Sequence, residues 1–339
     1  MNGDAAIAGV SSWRQAVAQY QRTEVPQAMV ELVATLLPLA LGFALMIASL
    51  SWSYWITLLL AIPTAGFLVR TFIIMHDCAH SSFLPWRRAN DIVGSVTGVL
   101  TLTPFSQWRR DHAIHHASSG DLDRRGHGDV DTITVGEYLA LSPSGRFRYR
   151  MKRNPIALLV VGPLYLMYSQ RFRTRSKATK DKQIVSVWGT NAAIVIAVVV
   201  ALLFGVLPQF LMVYFPVLYL AGVAGVFLFY VQHQFEGTYW EHHPDWDYET
   251  ASIAGSSYLK LPQPLAWLTG NIGVHHVHHI SPKIPNYKLQ QCHNENPLFH
   301  KVTVIRLRDT GRALQLALWD ENANRLISFK DLAKRARAA

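Results

Sequence analysis

The chain has 339 residues, half of them hydrophobic and only 16% charged, well short of the ~25% charge of an ordinary soluble domain. Its two cysteines, Cys78 and Cys292, exclude a disulfide framework and a cysteine-based zinc site. The net charge of +10 leaves nucleic acid, anionic lipid or an acidic protein as partners for the basic surface, and the distribution of charge has to separate them.

In chain order, residues 1–26 hold no apolar stretch behind a basic start, so they are not a cleavable secretory signal. Trp13, Ala16, Val17 and Tyr20 fall at helical spacing. We read residues 1–30 as an N-terminal interfacial segment, with a short helix packed on the domain as the other reading. Leu32 to Val69 is a run of 38 residues without charge, enough for spans at about 32–50 and 53–75 hinged near Ser51-Trp52-Ser53. Gln183 to Phe235 is a second uncharged run, of 53 residues, enough for spans at about 186–205 and 209–232. Arg70 lies near a span end, where its side chain can snorkel.

The segment between these hairpins, residues 76–182, carries 17 Lys+Arg against 9 Asp+Glu. By the positive-inside rule it faces the cytoplasm together with both termini, which excludes nucleic acid as the partner. The clusters RFRYRMKR (146–153) and RFRTRSK (171–177) suit lipid headgroups, and an acidic redox partner could use the same surface. Two uncharged stretches, 92–108 and 154–170, the second broken at Gly162-Pro163, are expected as interfacial or half-inserted helices. Residues 305–338 read as soluble amphipathic helix. The expected fold is all-α: an integral membrane protein with four transmembrane helices in two hairpins, interfacial helices and a cytoplasmic histidine-rich helical cap. Its parts are the N-terminal segment 1–30, a membrane domain 31–300 and a C-terminal cytoplasmic segment 301–339.

Fifteen histidines cluster rather than scatter. His76 and His80 stand at i, i+4; His112, His115 and His116 at i, i+3, i+4; His275, His278 and His279 repeat that pattern. On helices these spacings bring rings onto one face, ~5–6 Å apart at Cβ, within reach of a shared metal. Eight imidazoles are too many for one ion and suit two ions with about four each. Ligand type alone leaves zinc, copper, iron and nickel open. Paired Glu-x-x-His motifs and HExxH are absent, which argues against the soluble carboxylate di-iron bundles and a zinc protease. His76 lies 23 residues past Ser53, roughly 35 Å along a helix, just beyond a ~30 Å hydrocarbon core. His233, 25 residues past Pro208, matches that depth and is taken as a ninth ligand. His276 falls off the shared face and is expected to face a neighbouring group or solvent. His127, His242, His243, His293 and His300 lack the boxed spacing and are expected at the surface or behind ligands. Asp77, Asp111 and Glu236 adjoin ligands and are candidates to orient imidazoles. Cys78 points to packing.

Two membrane hairpins with HxxxH, HxxHH and HxxHH boxes resemble the integral-membrane fatty acid desaturases. The stretch HHVHHISPKIPNYKL, residues 275–289, is similar to the third box of the Δ12 (omega-6) acyl-lipid type. The resemblance implies a non-haem centre of two iron ions, O2 as co-substrate, a long acyl chain as substrate and electrons from a ferredoxin or cytochrome b5. It implies the iron ligands His76, His80, His112, His115, His116, His275, His278 and His279, with His233 matching a further histidine after the last span. EHHPDW is not the His-Pro-Gly-Gly signature of cytochrome b5, so the donor is expected to be a separate protein. The implied location is the cell (inner) membrane. An unactivated methylene offers neither charge nor acidic proton, so the metal carries the chemistry and the protein supplies position and dryness. Candidate walls for an apolar acyl tunnel are Phe72, Phe83 and Trp108. Two other readings use the same residues: a hydroxylase or ketolase of alkane, lipid or carotenoid on the same irons, and a metal transporter.

Overall fold

The computed structural model describes residues 13–126, 128–172 and 181–338. Among the described residues, four helices are long and apolar enough to cross a membrane: α1 (Val25–Ser49), α2 (Tyr54–His80), α5 (Asp181–Leu203) and α6 (Leu207–His233). Between the pairs lie α3 (Arg87–Leu100) and α4 (Phe105–Ser118), and after α6 come α7 (Tyr248–Ala254), α8 (His275–Ile280) and α9 (Asn286–Glu295). α1, α2 and α5 turn Val33, Leu37, Ile62, Val195 and Ile196 outward, each at least 60% exposed, and α6 turns Leu211 and Phe215 outward, as helices bathed in lipid do. Trp52, Trp55 and Phe204 stand exposed at the hairpin tips, the amphipathic or bulky aromatic positions of an interface.

Inside the bundle, Leu39, Met46, Ala65, Leu68, Val213 and Val217 form one core of α1, α2 and α6. Gly42 lets α1 meet α2: a Cβ there would lie 2.4 Å from Thr64 Oγ1. Arg70 does not snorkel. It is 2% exposed, paired with Glu31, bonded to the Trp267 carbonyl, and its Nε donates to Thr35 Oγ1 at 3.1 Å. A buried guanidinium in an apolar bundle needs every donor answered, and Glu31, one residue before the uncharged run, answers it.

Both short apolar stretches depart from single helices. Residues 92–108 are shared by α3, a turn and the start of α4. Gly94 and Gly98 allow the close approach, since a Cβ at either would press on Phe105 and, in turn, on Cys78 or the Thr103 carbonyl. Residues 154–170 form helices Pro155–Val160 and Gly162–Ser169, seated on α6 where Tyr219 Oη donates to the Val160 carbonyl at 3.1 Å, with Ile156, Tyr165 and Tyr168 exposed outward.

The N-terminal end takes the second of its two readings, and the C-terminal end differs from expectation. Residues 13–18 are helical, and Trp13, Val17 and Tyr20 are buried on Ile73, Val277, Ile280 and Leu289. This part of the N-terminal segment therefore packs on protein, because its apolar side has a preformed partner beneath it; residues 1–12 lie outside the described residues. Residues 305–338 are not one amphipathic helix. They give strand β3 (Val304–Arg306), β4 (Leu316–Asp320), β5 (Arg325–Ser328) and a terminal helix Phe329–Ala338. β4 pairs antiparallel with β5 and parallel with β1 (Ile133–Thr134), and β3 runs parallel to β2 (Tyr258–Lys260). The run LALWD is buried at every position, covered by Leu122 and Trp240 on one side and Tyr138 and Tyr149 on the other. A short apolar run closed by a polar turn, with Asn324 at φ 46°, makes a strand rather than a helix.

Candidate metal centre

Four elements meet at one point. α2 delivers His76 and His80 at its last turn, which a left-handed Ser81 (φ 56°) terminates. α4 carries His112, His115 and His116, α6 ends on His233, and α8 carries the third box. The fold brings all nine expected residues together, and divides them. The ring nitrogens of His76, His80, His112, His116 and His278 form one group, and those of His115, His233 and His279 a second, each group's atoms within 4.8 Å of one another. His275 joins the second group, its Nε2 2.9 Å from His233 Nε2 and its ring 4.6 Å from that of His279. Boxes two and three each contribute to both groups, because i+3 and i+4 neighbours splay to opposite sides of a shared helical face. The groups adjoin: the rings of His116 and His279 stack at 4.3 Å.

Three tautomers follow from partners that can only accept. His76 Nδ1 faces Asp77 Oδ1 at 3.2 Å, His115 Nδ1 faces Asp129 Oδ1 at 2.7 Å, and His233 Nδ1 faces the Gly255 carbonyl at 3.3 Å. Each Nδ1 therefore carries the hydrogen, and each Nε2 turns a lone pair inward. Nε2 contacts of 3.0, 3.1 and 3.0 Å link His76 to His112, His112 to His116, and His116 to His278. Nε2 of His80, His115 and His279 is buried with no hydrogen-bond partner among the described residues. So many converging nitrogens have too few hydrogens among them. A cation answers them: nitrogens ~3.0 Å apart are spaced as neighbours on one ion at ~2.1 Å. Burial first, and then the neighbouring imidazoles, hold His112, His116, His275, His278 and His279 well below the ordinary histidine range. Those rings are neutral, the form that ligates.

Around the groups, Asp77 Oδ2 accepts from the Asn286 backbone N–H at 2.7 Å and its side-chain amide at 2.8 Å. Trp108 stacks on His112 at 4.3 Å and meets Phe72 edge-on at 5.3 Å. Phe83 is buried with Ile74, Met75 and Cys78 in the core against which Phe72 and Trp108 pack.

Several expectations change. His276 does not face solvent: it is fully buried, and its Nε2 lies 3.1 Å from His293 Nδ1. His300, exposed, donates Nε2–H to the His293 carbonyl at 2.9 Å. Glu236 orients no imidazole, since it pairs with Arg312. Asp111 accepts from Gln107 Nε2 at 3.1 Å. His242 and His243 are surface residues bonded to Asp123 and Asp121, and His127 lies outside the described residues. Asp129 and Asn286 were not singled out by spacing; the sequence signal for Asp129 is only its place after two glycines, Gly126 and Gly128, both at positive φ.

Residues 50–304 match the family model "Fatty acid desaturase". The chain belongs to the fatty acid desaturase family. Among relatives, the "Fatty acid desaturase" of Bacillus subtilis is 44% identical over 316 residues, 93% of this chain and 89% of that one. The "sn-1 oleoyl-lipid 12-desaturase" of Synechocystis sp. is 26% identical over 247 residues, 68% of this chain and 65% of that one. The chloroplastic "Omega-6 fatty acid desaturase" of Spinacia oleracea is 26% identical over 281 residues, 75% of this chain and 57% of that one. This desaturase thus combines a membrane-bound family, four apolar helices fit to span a bilayer and two histidine groups able to hold metal.

Proposed function

We propose that this desaturase introduces a cis double bond of the Δ12 (omega-6) type into a long fatty acyl chain, on two iron ions held at the histidine groups. His76, His80, His112, His116 and His278 would hold one ion, and His115, His233, His275 and His279 the other. The observation that carries this is the convergence of nine imidazoles, with three inward lone pairs fixed by Asp77, Asp129 and Gly255. When bound, iron supplies the O2-dependent oxidation that removes two hydrogens from adjoining methylenes while O2 is reduced to water.

The chain's residues do the rest. Asn286 holds Asp77, and Asp77 holds the His76 ring in its ligating tautomer. Trp108 and Phe72 make an apolar wall against the first group, excluding water where an acyl chain has to lie. α2 and α6 run from the apolar bundle to the cluster, which brings the histidines to the end of the bundle that an acyl chain seated in lipid would approach. The Δ12 assignment is supported by the HHVHHISPKIPNYKL stretch and by relatives named for 12- and omega-6 desaturation. Electrons come from a separate donor of ferredoxin or cytochrome b5 type; the basic charge of residues 76–182 supports a cytoplasmic side for the cluster, and the membrane in this reading is the cell membrane.

Expression in a host lacking polyunsaturated lipids, followed by lipid mass spectrometry, tests the reading. Products lighter by two hydrogens, with the new bond at the twelfth carbon, are expected. Products heavier by one oxygen with no new double bond would make the protein a hydroxylase.

A further inference from the structure

The two histidine groups are backed differently. In the first, Asp77 has both oxygens engaged, one by His76 and the other by Asn286. In the second, Asp129 Oδ1 accepts from His115 Nδ1–H at 2.7 Å, while Oδ2 is buried with no partner among the described residues. The Asp129 side chain is 5% exposed, and its ion-pair partner among the described residues is the His115 ring, itself 3% exposed. A carboxylate shut away from water with half its acceptors idle is unfavourable unless a cation stands near. The loop spends backbone freedom to put it there. Gly128, at φ +74°, lies so close to α4 that a Cβ would sit 3.3 Å from the Asp111 carbonyl and 3.5 Å from His115 Cβ.

We infer that Asp129 is the positioning carboxylate of the second metal ion, fixing His115 with its lone pair inward and supplying the negative charge that balances that ion. It acts through His115 and touches no substrate. The first group takes its carboxylate from the helix that bears its histidines; the second takes one from a loop outside every box. Loss of Asp129 should therefore loosen one ion and spare the other.

The inference rests on the two-iron reading above. Its test uses full-length iron-loaded protein purified from membranes in detergent, as wild type, Asp129→Asn and Asp129→Ala. Each is dialysed against graded iron chelator, with iron per chain measured, each iron environment followed by Mössbauer spectroscopy and folding followed by thermal melting. Asp129→Asn keeps the shape and an acceptor oxygen but not the charge. It should release one iron at roughly 10–100-fold lower chelator than wild type, with the other iron's signal unmoved, and Asp129→Ala should release that iron more readily still. If Asp129→Ala does not fold, Asp129→Asn carries the result alone. An Asp129→Asn protein that holds both irons as wild type does, or releases them in parallel, would overturn the inference. Wild-type protein that takes up no iron would instead refute the two-iron reading.

Discussion

At the scale of single residues, the three boxes were legible because imidazole is rare and helical spacing is strict, but their division into two groups was not. His115 and His116 are neighbours in sequence and belong to different groups, a matter of where α6 and α8 approach α4. His116→Ala and His279→Ala should each abolish desaturation and lower iron per chain, the first by emptying the five-histidine group and the second the other; metal analysis beside product analysis checks both. His276 shows the opposite limit. Its offset on the helix takes it off the face shared by the two histidine groups, yet helical phase does not reveal that α9 waits on the far side with His293. Burial and the His293 contact push His276 down to about 3, so it sits in the fold as a neutral hydrogen-bonding ring. His276→Ala leaves a cavity and an unpaired His293, a loss of about 1–3 kcal/mol. The expected signature is a lower melting temperature in detergent with iron per folded chain unchanged; lost iron at unchanged melting would place His276 among the ligands.

Among elements, the four spans were legible from runs without charge, and the places where expectation failed are places where one element depends on another far away in sequence. Arg70 was read alone, as a cation free to reach water. Its partner Glu31 lies 39 residues earlier and the third anchor, the Trp267 carbonyl, 197 residues later. The trio ties α1, α2 and the segment leading to the third box. Glu31→Gln or Arg70→Met alone strands a buried charge and should destabilise by about 3–5 kcal/mol, whereas the double change to Leu and Met should be milder than either; melting of the three variants decides. If the single and double changes prove equal, the pair is not what holds these elements. The C-terminal strands were misread, and the N-terminal helix stayed between two readings, for the same reason: their apolar sides are answered by Tyr138 and Trp240, and by Val277 and Leu289, none of which lies nearby in sequence.

Taken as a whole molecule, apolar helices meet a polar, histidine-filled cap, and the sidedness proposed for it follows from charge alone. A single cysteine at exposed Trp52 should react with an impermeant maleimide added to intact cells, and one at exposed Lys152 only after permeabilisation. Buried Cys78 and Cys292 keep the background low, and the reverse pattern would invert the topology. Nine histidines gathered at the end of the bundle are proposed to hold two irons, and metal analysis of protein purified from iron-replete cells decides it. About two irons per chain, one for each histidine group, are expected; stoichiometric zinc or copper with no iron would refute the two-iron centre.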